Sequence, residues 1–567
     1  MKTALHLSGF DDYRQILDET AGRLRDENLV GRIKARDHTL WKPAPDEIVN
    51  RLGWIDAPHL MKDQTGQIQK LVNEARNERY SHAILLGMGG SSLAPEVLKH
   101  TFEFRENYLD LSIIDSTEPA AILHQTSRLK AGGTLVIVST KSGSTVETLS
   151  LFKFFYNVMR DAIGPKTVGN HFVAVTDPGS DLVSLATRYN FRDTFLNPRD
   201  IGGRYSALTF FGLVPTALTG VNVSYLLIRA ASALQRFETG DILSEEKNPA
   251  AFLGMLMGAM ALVGRDKLTF LISPQVKSFG GWLEQLIAES LGKEGTGIVP
   301  IIDEPPTLPV NYDNDRLFVY LRLKWDSTLE KTVQALKKAG HPIVILEIED
   351  LYELGAQFFL WEAATAVAGH ILAVNPFDQP DVEATKTLTK SMIAEYTRLG
   401  TFPEEIPSHA DHHITLYGSV EADTPLQAFT NFLDSADRGD YIALQAYLQP
   451  KDDTDHALML LRGAILNRYG RSTTVGYGPR FLHSTGQLHK GDAGKGIFIQ
   501  ITCDIVQDVP IPDEAGKVPS SLTFGILTSA EARGDRMALL KAGRRVLRVH
   551  LGEDIVGGLK HLTDAVT

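Results

Sequence analysis

Cysteine is nearly absent from this chain: Cys503 is the only one. An internal disulfide is excluded, and so is a cysteine-rich metal site. Set in the alternating run IFIQITCDI, Cys503 reads as a buried core thiol rather than a nucleophile. No apolar run is long enough to span a bilayer, which takes about 20 residues. The most apolar stretch, AFLGMLMGAMALVG at 251–264, reads instead as a helix buried on all sides. The opening MKTALHLSGFDDYR meets charged residues before any apolar core develops, so it lacks the pattern of a secretory signal. Positive charge is not in excess either. A net charge of −12 speaks against a nucleic-acid surface, because phosphate backbones are held by clusters of Lys and Arg. A small anionic substrate needs only a local positive site and stays allowed. Low-complexity tracts and short-period repeats are missing as well. What remains is a cytoplasmic protein of ordinary globular composition, with no membrane or nucleic-acid partner.

With 567 residues, the chain exceeds what one hydrophobic core usually supports, so several domains are expected. Residues 1–75 carry helical patterning and no chemical motif. From His82 the texture changes to short apolar runs ending in Gly, Ser or Asp: HAILLG, LSIID, TLVIVS, HFVAVTD and DTFLN. Helical stretches separate them, the alternation of a parallel sheet covered on both faces. A second set follows, KLTFLIS, GIVPIID, RLFVYLRL, HPIVILEI and HILAVNPF. The expectation is α/β: two tandem doubly wound parallel-sheet domains, at 76–245 and 246–400, behind the N-terminal helical segment. A smaller α/β region at 401–567 adds strands at IFIQITCDI, LTFGILTS and RVLRVHL.

Ligands of open parallel sheets bind at the carboxyl ends of the strands. After the first strand comes LLGMGGSSLAPEVL, whose Gly87, Gly89 and Gly90 let backbone approach a ligand, with Ser91 and Ser92 as donors or caps. A dinucleotide fingerprint would need a third glycine where Ser92 stands. Asp115, ending the next strand, sits where a ribose-binding acid would. A plain structural turn is the other reading.

The run VIVSTKSGSTVET carries the stronger signal. It leads from a buried strand into a helix start and packs Ser139, Thr140, Lys141, Ser142, Ser144 and Thr145 into seven residues. Hydroxyls, glycine, backbone N–H groups and one Lys are what a phosphate dianion requires. One helix cap uses one hydroxyl, so a cap alone leaves most of them unexplained. The spacing is not that of a P-loop, which argues against an ATPase.

Three further stretches carry candidates. In NPRDIGGRYSALTF, Gly202 and Gly203 present Arg204, suited to an oxyanion or to a structural role. In SFGGWLEQLIAESLGKEG, Gln285, Glu289 and Lys293 share one helix face by i, i+4 spacing; a surface Glu–Lys pair and a partly buried site fit this spacing equally. NPFDQPDVEATKTLTK places Gln379 just ahead of a helix starting near Pro380, with Lys386 two turns in. Two other clusters read as non-chemical. Neighbouring residues of Asp411-His412-His413 would face opposite sides of a strand, and KDDTDH lacks calcium-loop spacing and reads as a solvated turn. No metal and no cofactor is expected.

Taken in order, these five motifs resemble the glucose-6-phosphate isomerase family over about residues 80–390. In wording they are closest to the isomerase half of bacterial transaldolase–isomerase fusions. The resemblance implies a sugar-isomerase fold and interconversion of glucose 6-phosphate and fructose 6-phosphate through a cis-enediolate. Alternatives are an isomerase of another phosphosugar, such as mannose 6-phosphate, or a non-catalytic phosphosugar sensor. The resemblance further implies that Thr140, Lys141, Ser142 and Thr145 bind phosphate, and that Gly90 and Ser91 line the sugar. Gly203 and Arg204 would face the reacting carbons, Glu289 would be the base, and Gln285, Gln379 and Lys386 would complete the pocket.

One departure matters. The family's ring-opening histidine, patterned H-x-x-x-Q-L and then H-x-G, normally lies between the catalytic Glu and the FDQ-type motif. Here that interval holds only His341 and His370, neither in that context. The pattern occurs instead at FLHSTGQLHKG, as His483, Gln487, Leu488, His489 and Gly491. His483 is therefore the expected ring-opening acid/base, unless this is a surface histidine loop. Because the family's histidine comes from the neighbouring subunit, a homodimer is expected.

Overall fold

The computed structural model describes residues 5–103, 105–241 and 244–567. The five apolar runs between His82 and Leu196 form one fully parallel sheet. Its strands are His82–Gly87, Asp110–Ile114, Thr134–Ser139, Phe172–Thr176 and Asp193–Leu196. In space the second lies outermost, followed by the first, third, fourth and fifth. Helices flank both faces, which is why these strands read as continuous apolar runs rather than alternating ones.

A second sheet repeats the order with Lys267–Ile272, Val299–Ile301, Arg316–Leu323 and Ile343–Ile348. Its outer edge departs from expectation. Leu5–Ser8, in the segment read as purely helical, pairs antiparallel with Ile343–Leu346. The fifth run expected here is not a strand: in HILAVNPF, His370 and Ile371 close the helix Leu354–Ile371, and a loop follows. That helix and Pro249–Leu262 pack against one another in the core, with Leu253, Met257, Trp361 and Val367 buried. The helix expected at 251–264 is thus enclosed over most of its length, although Leu262 at its end is exposed.

The third sheet has the same order once more: Ser472–Tyr477, Tyr441–Tyr447, Gly496–Thr502 and Arg545–His550, all parallel. Thr415–Tyr417 caps its edge in antiparallel fashion. Tyr441–Tyr447 and Ser472–Tyr477 were not anticipated. LTFGILTS was read as a strand, but only Leu522–Thr523 is extended, and the rest begins the helix Phe524–Lys541. KDDTDH is likewise no turn: it opens the helix Asp452–Tyr469, its acids in the first turn where the helix dipole favours negative charge. Asp411 lies in the turn between two short strands and accepts from the backbone of His413 and Ile414. Cys503 is partly buried, and burial pushes its thiol up to about 12, so it is not primed as a nucleophile. Among the described residues no helix is long and apolar enough to cross a membrane.

Candidate active site

The carboxyl ends of the first sheet's strands open into a cavity of about 560 Å³, and every residue expected to bind substrate or act on it lines that cavity, while Gly87, Ser92, Ser144 and Lys293 of the same motifs lie outside its lining. One rim is the Ser/Thr loop after strand Thr134–Ser139. The loop leads into the helix Val146–Ile163, whose N-cap Thr145 makes no side-chain cap bond. The first N–H groups of an 18-residue helix therefore face the loop with their partial positive charge. Thr140 and Thr145 hydroxyls lie 2.9 Å apart, and Ser142 Oγ accepts from Ser144 N and Oγ. Lys141 is paired with Asp177 and donates to the Arg199 carbonyl at 3.3 Å. Arg51 and Arg199 also line this end. Neither was singled out from sequence: Arg51 lies in the motif-free first segment, while Arg199 stands inside the quoted NPRD stretch.

Across the cavity, Arg204 is almost completely buried and spends each nitrogen. Its Nε donates to Ser290 Oγ at 2.7 Å, Nη1 to Gln379 Oε1 at 2.9 Å, and Nη2 to the carbonyls of Pro376 and Asp378. Nη1 also stands 3.4 Å from Glu289 Oε1. The network fixes the Arg204 guanidinium against the Glu289 carboxylate. Glu289 comes from the helix Phe279–Leu291 and accepts from Gln285 Nε2 at 3.1 Å. The surface Glu289–Lys293 pair does not exist. The helix ends at Leu291, and Lys293 is buried with its ammonium 2.7 Å from Asp378 Oδ1. Burial and the charge of Arg204 lower the Lys293 pKa to about 8, against the pull of Asp378. Gln379 and Lys386 enter from the helix Pro380–Leu399, starting where expected; Lys386 is half exposed and pairs with Glu383.

His483 belongs to the same cavity and to the same chain. Its Nε2 lies 2.7 Å from Glu147 Oε1, and its backbone carbonyl accepts from Gln285 Nε2 at 2.7 Å. Burial disfavours the imidazolium, but the charge and hydrogen bond of Glu147 outweigh it, so the His483 pKa is raised. The same pairing overrides burial to lower Glu147. Glu147 went unremarked in the sequence although it is the second-to-last residue of the quoted VIVSTKSGSTVET. His489, His341 and His370 do not line the cavity and bond elsewhere. His489 is fully enclosed, lies 3.2 Å from Gln445, and is held neutral by burial. His341 bonds the Pro309 carbonyl, and His370 bonds Leu40 and Glu27.

Glycine matters where these segments meet. A Cβ on Gly90 would stand 2.1 Å from the Gly203 carbonyl oxygen. Gly89, at φ +54°, would bring one within 3.0 Å of the His483 carbonyl oxygen and 2.8 Å of Gln285 Nε2. The glycine loop is thus a seat for two other segments. The dinucleotide alternative loses its acid as well: Asp115 accepts from Ser92 Oγ and lies 3.4 Å from Arg480 Nη1.

A family model described as phosphoglucose isomerase matches residues 61–305. A glucose-6-phosphate isomerase of Bacillus cereus is 28% identical over 396 residues, covering 60% of this chain and 86% of the relative. Among solved structures, hypothetical protein TT0462 from Thermus thermophilus aligns with a TM-score of 0.57 at 25% identity, over 69% of this chain and all of that one. A glucose-6-phosphate isomerase from Chlamydia trachomatis aligns with a TM-score of 0.58 at 18% identity, over 68% and 87%.

Proposed function

We propose that this chain, whose residues 61–305 belong to the phosphoglucose isomerase family, is an enzyme that interconverts glucose 6-phosphate and fructose 6-phosphate. The observation carrying this reading is the convergence on one cavity of the thirteen residues expected to bind or act, including His483 from far outside the matched segment.

The phosphate sits on the uncapped start of the helix Val146–Ile163, with Thr140, Lys141, Ser142 and Thr145 around it. Held there, remote from the reacting carbons, it keeps the sugar in register. Gly90 and Ser91 line the sugar. His483, charged through Glu147, donates a proton to the ring oxygen; the C1 hydroxyl passes its proton to solvent, the bond from C1 to the ring oxygen breaks, and the C1 carbonyl forms. Lys386 lies near the ring oxygen. Glu289 then takes the C2 proton and returns it to C1, a proton passes from O2 to O1 by exchange with solvent, and Arg204, with Gly203 beside it, faces the negative charge developing on the enediolate oxygens. Gln285 and Gln379 hold Glu289 and Arg204 in place. No cofactor enters the scheme.

The enzyme belongs in the cytoplasm, where charged sugar phosphates are retained. The resemblance implies a homodimer, yet with His483 supplied in cis, dimerisation is not what completes the pocket.

A coupled assay for fructose 6-phosphate tests the reaction. Glu289→Gln keeps shape but removes the base, so turnover falls by at least about 100-fold while substrate binding changes little. Near-normal turnover in this variant would remove Glu289 from the role.

A further inference from the structure

The turn that carries His483 is gripped at both ends by groups of the first sheet's region. Residues Arg480–His483 form one turn of 3-10 helix, in which positions three apart stack on the same side. At one end stands His483 on Glu147. At the other, Arg480 forks onto Glu96: Nη1 donates to Oε1 at 3.1 Å and Nη2 to Oε2. Nη1 also lies 3.4 Å from Asp115 Oδ2. Glu96 is on the helix Leu93–Phe102, directly after the glycine loop, and Asp115 follows strand Asp110–Ile114. Asp115 is nearly buried and is fixed in turn by Ser92. Gln285 pins the backbone of the turn from a third direction.

We propose that Arg480 is a positioning residue for ring opening: its ion pairs with Glu96 and Asp115 register the third sheet's histidine turn on the first. The proposal rests on the assignment of ring opening to His483. Three considerations carry it. A planar, bidentate guanidinium–carboxylate contact fixes orientation as well as distance. Glu96 stands on the helix that follows the cavity-lining glycine loop, and Asp115 is bonded to Ser92 at the end of that loop, so the histidine is referenced to the substrate site through one segment. Removing Arg480 leaves Asp115 and Glu96 without their cation and tethers the turn only through the histidine itself. A displacement of about 1 Å at a catalytic group costs on the order of 100-fold.

The test separates ring opening from proton transfer. Turnover of cyclic glucose 6-phosphate is compared with C2-proton exchange, followed by NMR in D2O, on a four-carbon aldose 4-phosphate that has no hydroxyl free to close a ring. In Arg480→Gln the first falls by about 10- to 100-fold, while the second stays within about twofold, which also shows that the site is folded. Arg480→Lys, keeping the charge without the fork, recovers part of the loss. Glu96→Gln reproduces the defect, and adding it to Arg480→Gln brings no further loss, as expected of one coupled unit. Equal loss on both substrates, or no loss on either, overturns the proposal. A wild-type protein inactive on both substrates would instead remove the isomerase reading itself.

Discussion

At the scale of single residues, the acids around the site divide by what faces them. Glu147 faces His483, and the pair is mutually reinforcing. The raised His483 pKa adds stability that is complete below the imidazole's ordinary 6.5 and is lost as pH rises through the folded value. The lowered Glu147 pKa adds stability above its ordinary 4.5, lost as pH falls through the folded value. In Glu147→Gln burial, aided by the charge of Lys386 and opposed only by the weaker pull of Glu289, pushes the imidazole below its ordinary 6.5. The alkaline limb of turnover for cyclic glucose 6-phosphate should therefore move to lower pH. A pH–rate profile with that limb unmoved would show that Glu147 does not set the charge of His483.

Glu284, on the same helix as Glu289, has no such partner close by. Burial raises its pKa to about 7, against the more distant pull of Arg462 and Arg480. An acid raised in the folded state favours folding fully below 4.5 and loses that contribution as pH climbs to about 7. The difference is on the order of 3 kcal/mol. Glu284→Gln, neutral throughout, should therefore raise Tm more at pH 8 than at pH 5. Thermal melts with the same shift at both would place the carboxyl in a more polar setting than its 8% exposure implies.

At the scale of elements, the Ser/Thr loop and the helix behind it act as one anion site. Replacing Lys141 and Thr145 by Ala should weaken the sugar phosphate and should weaken inhibition by inorganic phosphate or sulfate alike, by about 10-fold or more, since each change removes a charge-assisted contact. Unaltered inhibition constants would mean that the helix N-terminus binds no anion. This loop was legible because glycine, hydroxyls and lysine crowd the end of a buried strand, and the same punctuation exposed all five strands of the first sheet. Elsewhere the signal fails for identifiable reasons. Short apolar runs do not declare their conformation, so HILAVNPF and LTFGILTS were taken for strands, although the first is a helix end running into a loop and most of the second is a helix start. Leu5–Ser8 is too short to show alternation. Glu147 and Arg480 have roles only through partners that the fold brings together across hundreds of residues, a relation no local pattern records.

At the scale of the whole molecule, three sheets of one strand order deliver a cavity complete within a single chain. Activity per chain should then be independent of concentration across any dimer dissociation. Sedimentation paired with assays on serial dilution reads this, and a specific activity that collapses with the dimer would mean that the partner contributes to catalysis. The edge strand Leu5–Ser8 has a consequence of another kind. Its pairing partner Ile343–Leu346 leaves the ribosome more than three hundred residues after it. At about 5–20 residues per second that is a wait of tens of seconds. Until then Leu5–Ser8 has no ladder, and the second sheet ends in a bare parallel edge. A chain lacking the residues up to Gly9 would keep that edge open for good. Its signature would be loss of soluble yield during synthesis, from edge-to-edge association of nascent or newly released chains, in a protein whose catalytic cavity is otherwise intact.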